Sequence, residues 1–157
     1  MAIIDKRLEF ADGESVAASA GTALIGDQID LSVVRDVGVG SPLYVVIQCD
    51  ASIITGGAAG TIKFQLVSDD SASIATNGDA TVHYDTGTFV TDGDDANELD
   101  AGDLIAVFPL PREGNAYERY LGILAVVATQ TVTAGAINAF ITEVPPSGWK
   151  AYPDAAN

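Results

Sequence analysis

The stretch Leu43-Tyr44-Val45-Val46-Ile47-Gln48-Cys49 decides the fold class. It follows the turn sequence Gly40-Ser41-Pro42 and is a short, almost unbroken apolar run rich in β-branched residues. Such a run is long enough for a buried strand and too short for a core helix. The next ordered stretch, Thr61-Ile62-Lys63-Phe64-Gln65-Leu66-Val67, sets Ile62, Phe64 and Leu66 against polar partners, which is the two-residue period of a half-buried strand. Thr55-Gly56-Gly57-Ala58-Ala59-Gly60 joins the two as a flexible connection with no side chain able to hold a ligand.

The same patterns extend outward. Residues 103–110 read as a strand closed by Pro109 and Pro111, which cannot donate to a ladder. Residues 117–128 place Tyr120, Gly122, Leu124, Val126 and Ala128 on one face and Leu121, Ile123, Ala125 and Val127 on the other. Apolar residues on both faces mean a central strand, or one held between its sheet and a partner. Residues 136–144 alternate Ile137, Ala139 and Ile141 with Asn138, Phe140 and Thr142. Shorter strand candidates are 6–10, 28–31, 73–76, 81–84 and 86–90, while the Ala-rich residues 15–24 fit a helical turn, a loop or a strand. No stretch of a dozen residues carries a capped 3.6-residue period. Roughly eight to ten short strands with turn signals between them predict an all-β fold, a β-sandwich or barrel. The expected organisation is one domain over residues 1–144 and an extended, polyproline-prone tail over 145–157.

Composition narrows the function. Of 157 residues, 48% are hydrophobic and only 18% charged, so Ser, Thr, Asn and Gly must cover much of the surface. The net charge is −15, from 22 acids against 7 bases, and residues 64–110 contain neither Lys nor Arg. Nucleic-acid binding neutralises phosphates with Lys and Arg, so nucleic acid and anionic membranes are not expected partners. The charge serves solubility; complementarity to a basic protein partner is the sharper reading. The lone Cys49 allows no internal disulfide and reads as a small buried hydrophobe. The N-terminus lacks a signal-peptide apolar stretch and no apolar run reaches membrane-span length, so the expected location is the producing cell's cytoplasm or a particle assembled there.

Catalytic chemistry has little to work with. The only histidine, His83, cannot form a multi-histidine zinc site, and any serine triad would have to use it as base. No Gly-x-Ser-x-Gly turn presents a serine. The acidic residues among 92–103 miss the EF-hand pattern and read as a solvated loop, with a calcium site of another kind as the alternative. No catalytic residue, cofactor or metal site is expected. Residues left as candidate interface anchors are Tyr117, Arg119 and Tyr120 near a strand start, and Trp149 and Tyr152 in the proline-flanked tail. Tyr, Trp and Arg are favoured at the centres of protein contacts. The tail either folds back on its own domain or docks on a second subunit.

At this point the strand residues resemble a known family. Asp36-Val37-Gly38-Val39-Gly40-Ser41-Pro42-Leu43-Tyr44-Val45-Val46-Ile47 is similar to one block of the capsid cement (decoration) proteins of tailed bacteriophages, and Glu118-Arg119-Tyr120-Leu121-Gly122 with Val132-Thr133-Ala134-Gly135-Ala136-Ile137-Asn138-Ala139-Phe140-Ile141 to another. The resemblance implies a jelly-roll sandwich with long loops that sits on the outer surface of an icosahedral head, clamps neighbouring major capsid proteins and forms homodimers. The alternative is a carbohydrate-binding or adhesive sandwich module, although a single Trp and five scattered Tyr offer few stacking platforms. A cupin-type enzyme would need several His ligands.

Overall fold

The computed structural model describes residues 5–34, 40–92 and 99–145. Their nine strands are β1 (Glu9–Ser15), β2 (Gly21–Asp30), β3 (Tyr44–Thr55), β4 (Gly60–Asp69), β5 (Thr81–Asp85), β6 (Phe89–Thr91), β7 (Leu104–Pro109), β8 (Tyr120–Ala128) and β9 (Val132–Thr142). All pairings are antiparallel. One sheet runs β1-β9-β3-β7; the other runs β2-β8-β4-β5, with β6 also paired to β4. Apart from β4, β5 and β6, which follow one another in the second sheet, the chain alternates between sheets, and the first strand pairs with the last, which is the strand order of a jelly roll.

The inner faces carry the expected residues. Val45, Ile47, Cys49 and Ile53 of β3 and Ile137, Ala139 and Ile141 of β9 pack against Ile62, Phe64 and Leu66 of β4 and Leu121, Ile123, Ala125 and Val127 of β8. Cys49 is buried, its Sγ–H donating to the Ala51 carbonyl at 3.1 Å. Burial first, and the Asp103 charge second, push its thiol pKa up to about 12, far from a reactive thiolate. β7 pairs with β3 only as far as Gln48; beyond it, Cys49 N donates to the Asp103 carbonyl and Ile53 N to the Leu99 carbonyl, so a loop completes the sheet edge.

Several strand boundaries differ from the sequence reading. Lys6–Leu8 is a 3-10 turn capped by Asp5, not the start of a strand. Residues 15–24 contain the end of β1 and the start of β2. Residues 73–76, expected as a strand, lie in a loop that folds over the outer face of the second sheet. There Ile74 and Ala80 form a second apolar cluster with Val67 and Leu124, joined by Leu24, Ala75 and Tyr120. The two-faced apolar character of β8 therefore reflects a cover supplied by the protein's own loop. Asp69 anchors that loop by accepting from Ser71 N at 2.9 Å and Ala75 N at 2.8 Å. Burial alone would raise the Asp69 pKa, but these N–H donors outweigh it and hold the carboxyl below its ordinary value. Gly122 makes room for the cover: a Cβ there would sit 2.5 Å from Ile74 Cδ1.

Candidate functional site

Two polar features meet at the start of β8. The first closes one end of the core. The inward series Ile62, Phe64, Leu66 of β4 continues to Ser68, which is fully buried. Opposite it, Val67 pairs with Val82 and Leu66 with Tyr84, leaving His83 as the extra residue of a β-bulge. A bulge re-aims side chains. Here it brings His83 Nε2 to 2.8 Å from Ser68 Oγ and leaves Tyr84 free to stack on Phe108 with ring centroids 3.6 Å apart. Glu118 completes the cluster: its backbone N–H donates to Ser68 Oγ at 3.1 Å and its Oε2 accepts from the Ser68 hydroxyl at 3.2 Å. Tyr117 lies over His83, centroids 4.0 Å apart, and its hydroxyl donates to the Pro111 carbonyl at 2.7 Å.

A serine hydroxyl has one hydrogen and two lone pairs. With the hydrogen given to Glu118, both lone pairs accept, one from Glu118 N–H and one from His83 Nε2–H. With the other imidazole tautomer the serine donates to His83 Nε2 instead, so the 2.8 Å contact is compatible with either direction of the hydrogen bond. The carboxylate contacts the serine, not the imidazole, and Ser68 has no exposed surface. Burial lowers the His83 pKa, partly opposed by the Glu118 charge. Burial raises the Tyr117 pKa to about 12. Together Ser68, His83, Glu118 and Tyr117 form a hydrogen-bonded plug that ends the hydrophobic core.

The second feature faces outward. Arg119 forms a two-point fork on Asp30, with Nε to Oδ1 at 2.8 Å and Nη2 to Oδ2 at 2.9 Å, and its guanidinium stands 4.9 Å from the centroid of the Tyr120 ring. The Arg119 fork, helped by the Ser32 N–H, lowers the Asp30 pKa to about 2. Asp30 also walls a groove of about 580 Å3 between edge strands β1 and β2, lined among others by Arg7, Glu9, Asp12, Glu14 and Asp27. The groove is pinched where the two strands cross: Gly26 has φ +66, and a Cβ on it would lie 2.0 Å from the Phe10 carbonyl oxygen. Arg119 is thus tied, through Asp30, to the wall of an acidic groove.

The structure separates the sequence-nominated anchors. Arg119 is exposed and Tyr120 partly so, and the two are in contact. Tyr117 is buried, with its ring and hydroxyl both engaged inside the protein. Trp149 and Tyr152 lie outside the described residues. Sequence reasoning missed Ser68, Glu118 and Asp30. Only Ser68 had a signal, as a polar residue at the next inward position after Leu66. Among the described residues, no three His, Cys, Asp or Glu side chains are grouped as metal ligands would be.

Compared with known families, residues 10–141 match Bbp16, a span that takes in all nine strands but for the first residue of β1 and the last of β9. The chain belongs to the Bbp16 family. No curated protein matches it.

Proposed function

We propose that this Bbp16-family protein is a virion structural protein that decorates the outer surface of an icosahedral phage head and bridges neighbouring major capsid subunits, acting as a homodimer and without catalysis. The observation that carries the reading is the closed Ser68–His83–Glu118 cluster. Among the described residues, this constellation, which resembles catalytic machinery in its residue types, ends the core instead, and Arg119 and Tyr120 beside it suit protein contact. The jelly-roll frame supports it, because a clamp needs stiff sheets that present edges and loops in fixed relation. So do the resemblance blocks: residues 44–47 and 132–141 lie on β3 and β9, which pair along the middle of one sheet. An acidic exterior steers the protein toward basic surfaces and away from packaged nucleic acid. Arg119 and Tyr120, beside the β1/β2 groove, are the contact residues in this reading. Many weak contacts repeated by capsid symmetry then add through multivalency.

The test is binding of the purified protein to heads that lack it. Saturation at a fixed ratio to the major capsid protein, weakened by Arg119→Ala, is expected. Failure to co-sediment with heads, or binding to a glycan array instead, overturns the proposal.

A further inference from the structure

At one end of the β1-β9-β3-β7 sheet, three chain segments come together. Because β9 and β7 both run antiparallel to β3, the exit of β9, the entry to β3 and the exit of β7 share that end. Tyr44 sits between Thr142 on one side and Pro109 on the other. The entry to β3 and the exit of β7 line a groove of about 420 Å3, with Pro42, Leu43, Pro109, Leu110, Pro111 and Arg112 among its walls, and the exit of β9 lies on the other side of β3. Its walls are mostly apolar, three prolines and two leucines, with Arg112 as the charged residue among them. Pro42 and Pro109 are exposed, and Val144, just past the end of β9, is 62% exposed. An apolar slot and a bare valine thus lie at the place where the chain leaves the sandwich.

Twelve residues, 146–157, lie beyond the last described residue, and they hold Trp149 and Tyr152. From Thr142 to Pro109 is two strand spacings, roughly 10 Å. From Pro145 to Trp149 is four residues, about 12 Å in the polyproline conformation that Pro145-Pro146 favours. Trp149 therefore reaches the groove without leaving its own molecule. Prolines pack well on aromatic rings, the pairing used in reverse when aromatic grooves bind proline-rich peptides. The stiff proline pair also reduces the entropy lost when the tail docks.

We infer that the proline-lined groove at this end of the sheet is the docking site for the chain's own C-terminal tail, with Trp149 as its anchor. The assignment stands apart from the capsid reading and gives Trp149 an internal role, leaving Tyr152 for outside contacts.

Trp149 is the only tryptophan, so intrinsic fluorescence of the full-length protein reports this contact directly. In dilute solution its emission is expected to be blue-shifted and shielded from acrylamide relative to the urea-unfolded chain. Pro42→Glu, which places a charge on an exposed groove wall, is expected to return both readings to the unfolded values while the far-UV circular dichroism stays unchanged. Solvent-exposed emission in the unaltered protein overturns the inference. So does a blue shift that survives Pro42→Glu, which would put Trp149 elsewhere. A shift that fades on dilution below the dimerisation range would assign the groove to a second copy's tail and overturn it as well.

Discussion

Ser68→Ala is the substitution that best tests the plug at the end of the core. It deletes one oxygen from a fully buried site and leaves the shape nearly intact, so the transfer and cavity terms are small. What it removes is the shared partner of three groups: the Glu118 backbone N–H, the Glu118 carboxylate and His83 Nε2. The carboxylate and imidazole are only partly buried and can turn to water. The Glu118 N–H cannot turn, since the backbone fixes it at the entry to β8. A stranded donor of this kind costs about 1–3 kcal/mol. At roughly 2–4 °C per kcal/mol for a domain of this size, the melting temperature should fall by about 2–12 °C. Urea unfolding followed by circular dichroism measures the loss, and an unchanged slope shows that the comparison is sound. A double-mutant cycle with His83→Ala should give a coupling of about 0.5–3 kcal/mol, the range for residues that share one network. Two results would refute the reasoning. One is a loss below about 0.5 kcal/mol, the level of an ordinary surface change. The other is strict additivity with His83→Ala, which would mean that the 2.8 Å contact does not couple the two residues.

Three further outcomes are expected. The lowered His83 pKa means that the folded protein binds fewer protons there than the unfolded chain, so this stabilisation is complete above the ordinary value near 6.5 and is lost as pH falls toward the folded value. The difference in stability between the protein and His83→Gln, measured from pH 7.5 to 5 so that the carboxylates common to both cancel, should shrink over that window; a flat difference would contradict it. Gly26→Ala should prevent folding or cost more than about 3 kcal/mol, because it combines a positive φ with a backbone clash against Phe10, and solubility with a native β spectrum checks it. Ile74→Ala should cost about 2–4 kcal/mol by opening the cluster over Gly122, and hydrogen exchange should speed up in residues 70–80 before the rest of the sheet.

The central strands were legible because their surroundings are simple. β3, β4, β8 and β9 are flanked by strands on both sides, so burial alone dictates their residues and the period-two pattern survives. The edge strands were not. β1 reads Glu-Phe-Ala-Asp-Gly-Glu-Ser from Glu9 to Ser15, and its pairing with β9 slips twice; β2 breaks its register between Ile25 and Ile29, around Gly26. A bulge shifts the phase of the side chains, so alternation counted along the sequence no longer reports which face a residue occupies. The same phase shift hid the candidate site. His83 follows Val82, which is exposed, and precedes Tyr84, which packs on the core, and only the unpaired step between them turns His83 toward Ser68. Asp30 and Arg119 are 89 residues apart, and no local pattern joins them.

The acids of β1 and β2 carry two demands that pull in one direction. An edge strand with open backbone groups invites pairing with another sheet, and charged side chains and bulges are how sandwich proteins discourage it. Asp12 and Glu14 on β1, Asp27 and Asp30 on β2, and the turns of backbone at Gly13 and Gly26 meet that need on the groove side of the molecule. The opposite edges do not. β5 and β6 expose Val82 and Val90, and β7 exposes Leu104, each close to half accessible, although Asp85 closes β5 and Asp103 precedes Leu104. Their exposed apolar residues make the β5/β6/β7 side the expected one for self-association through strand edges, with Asp85 and Asp103 as the carboxylates that limit it, and leave the acidic β1/β2 side for a basic partner.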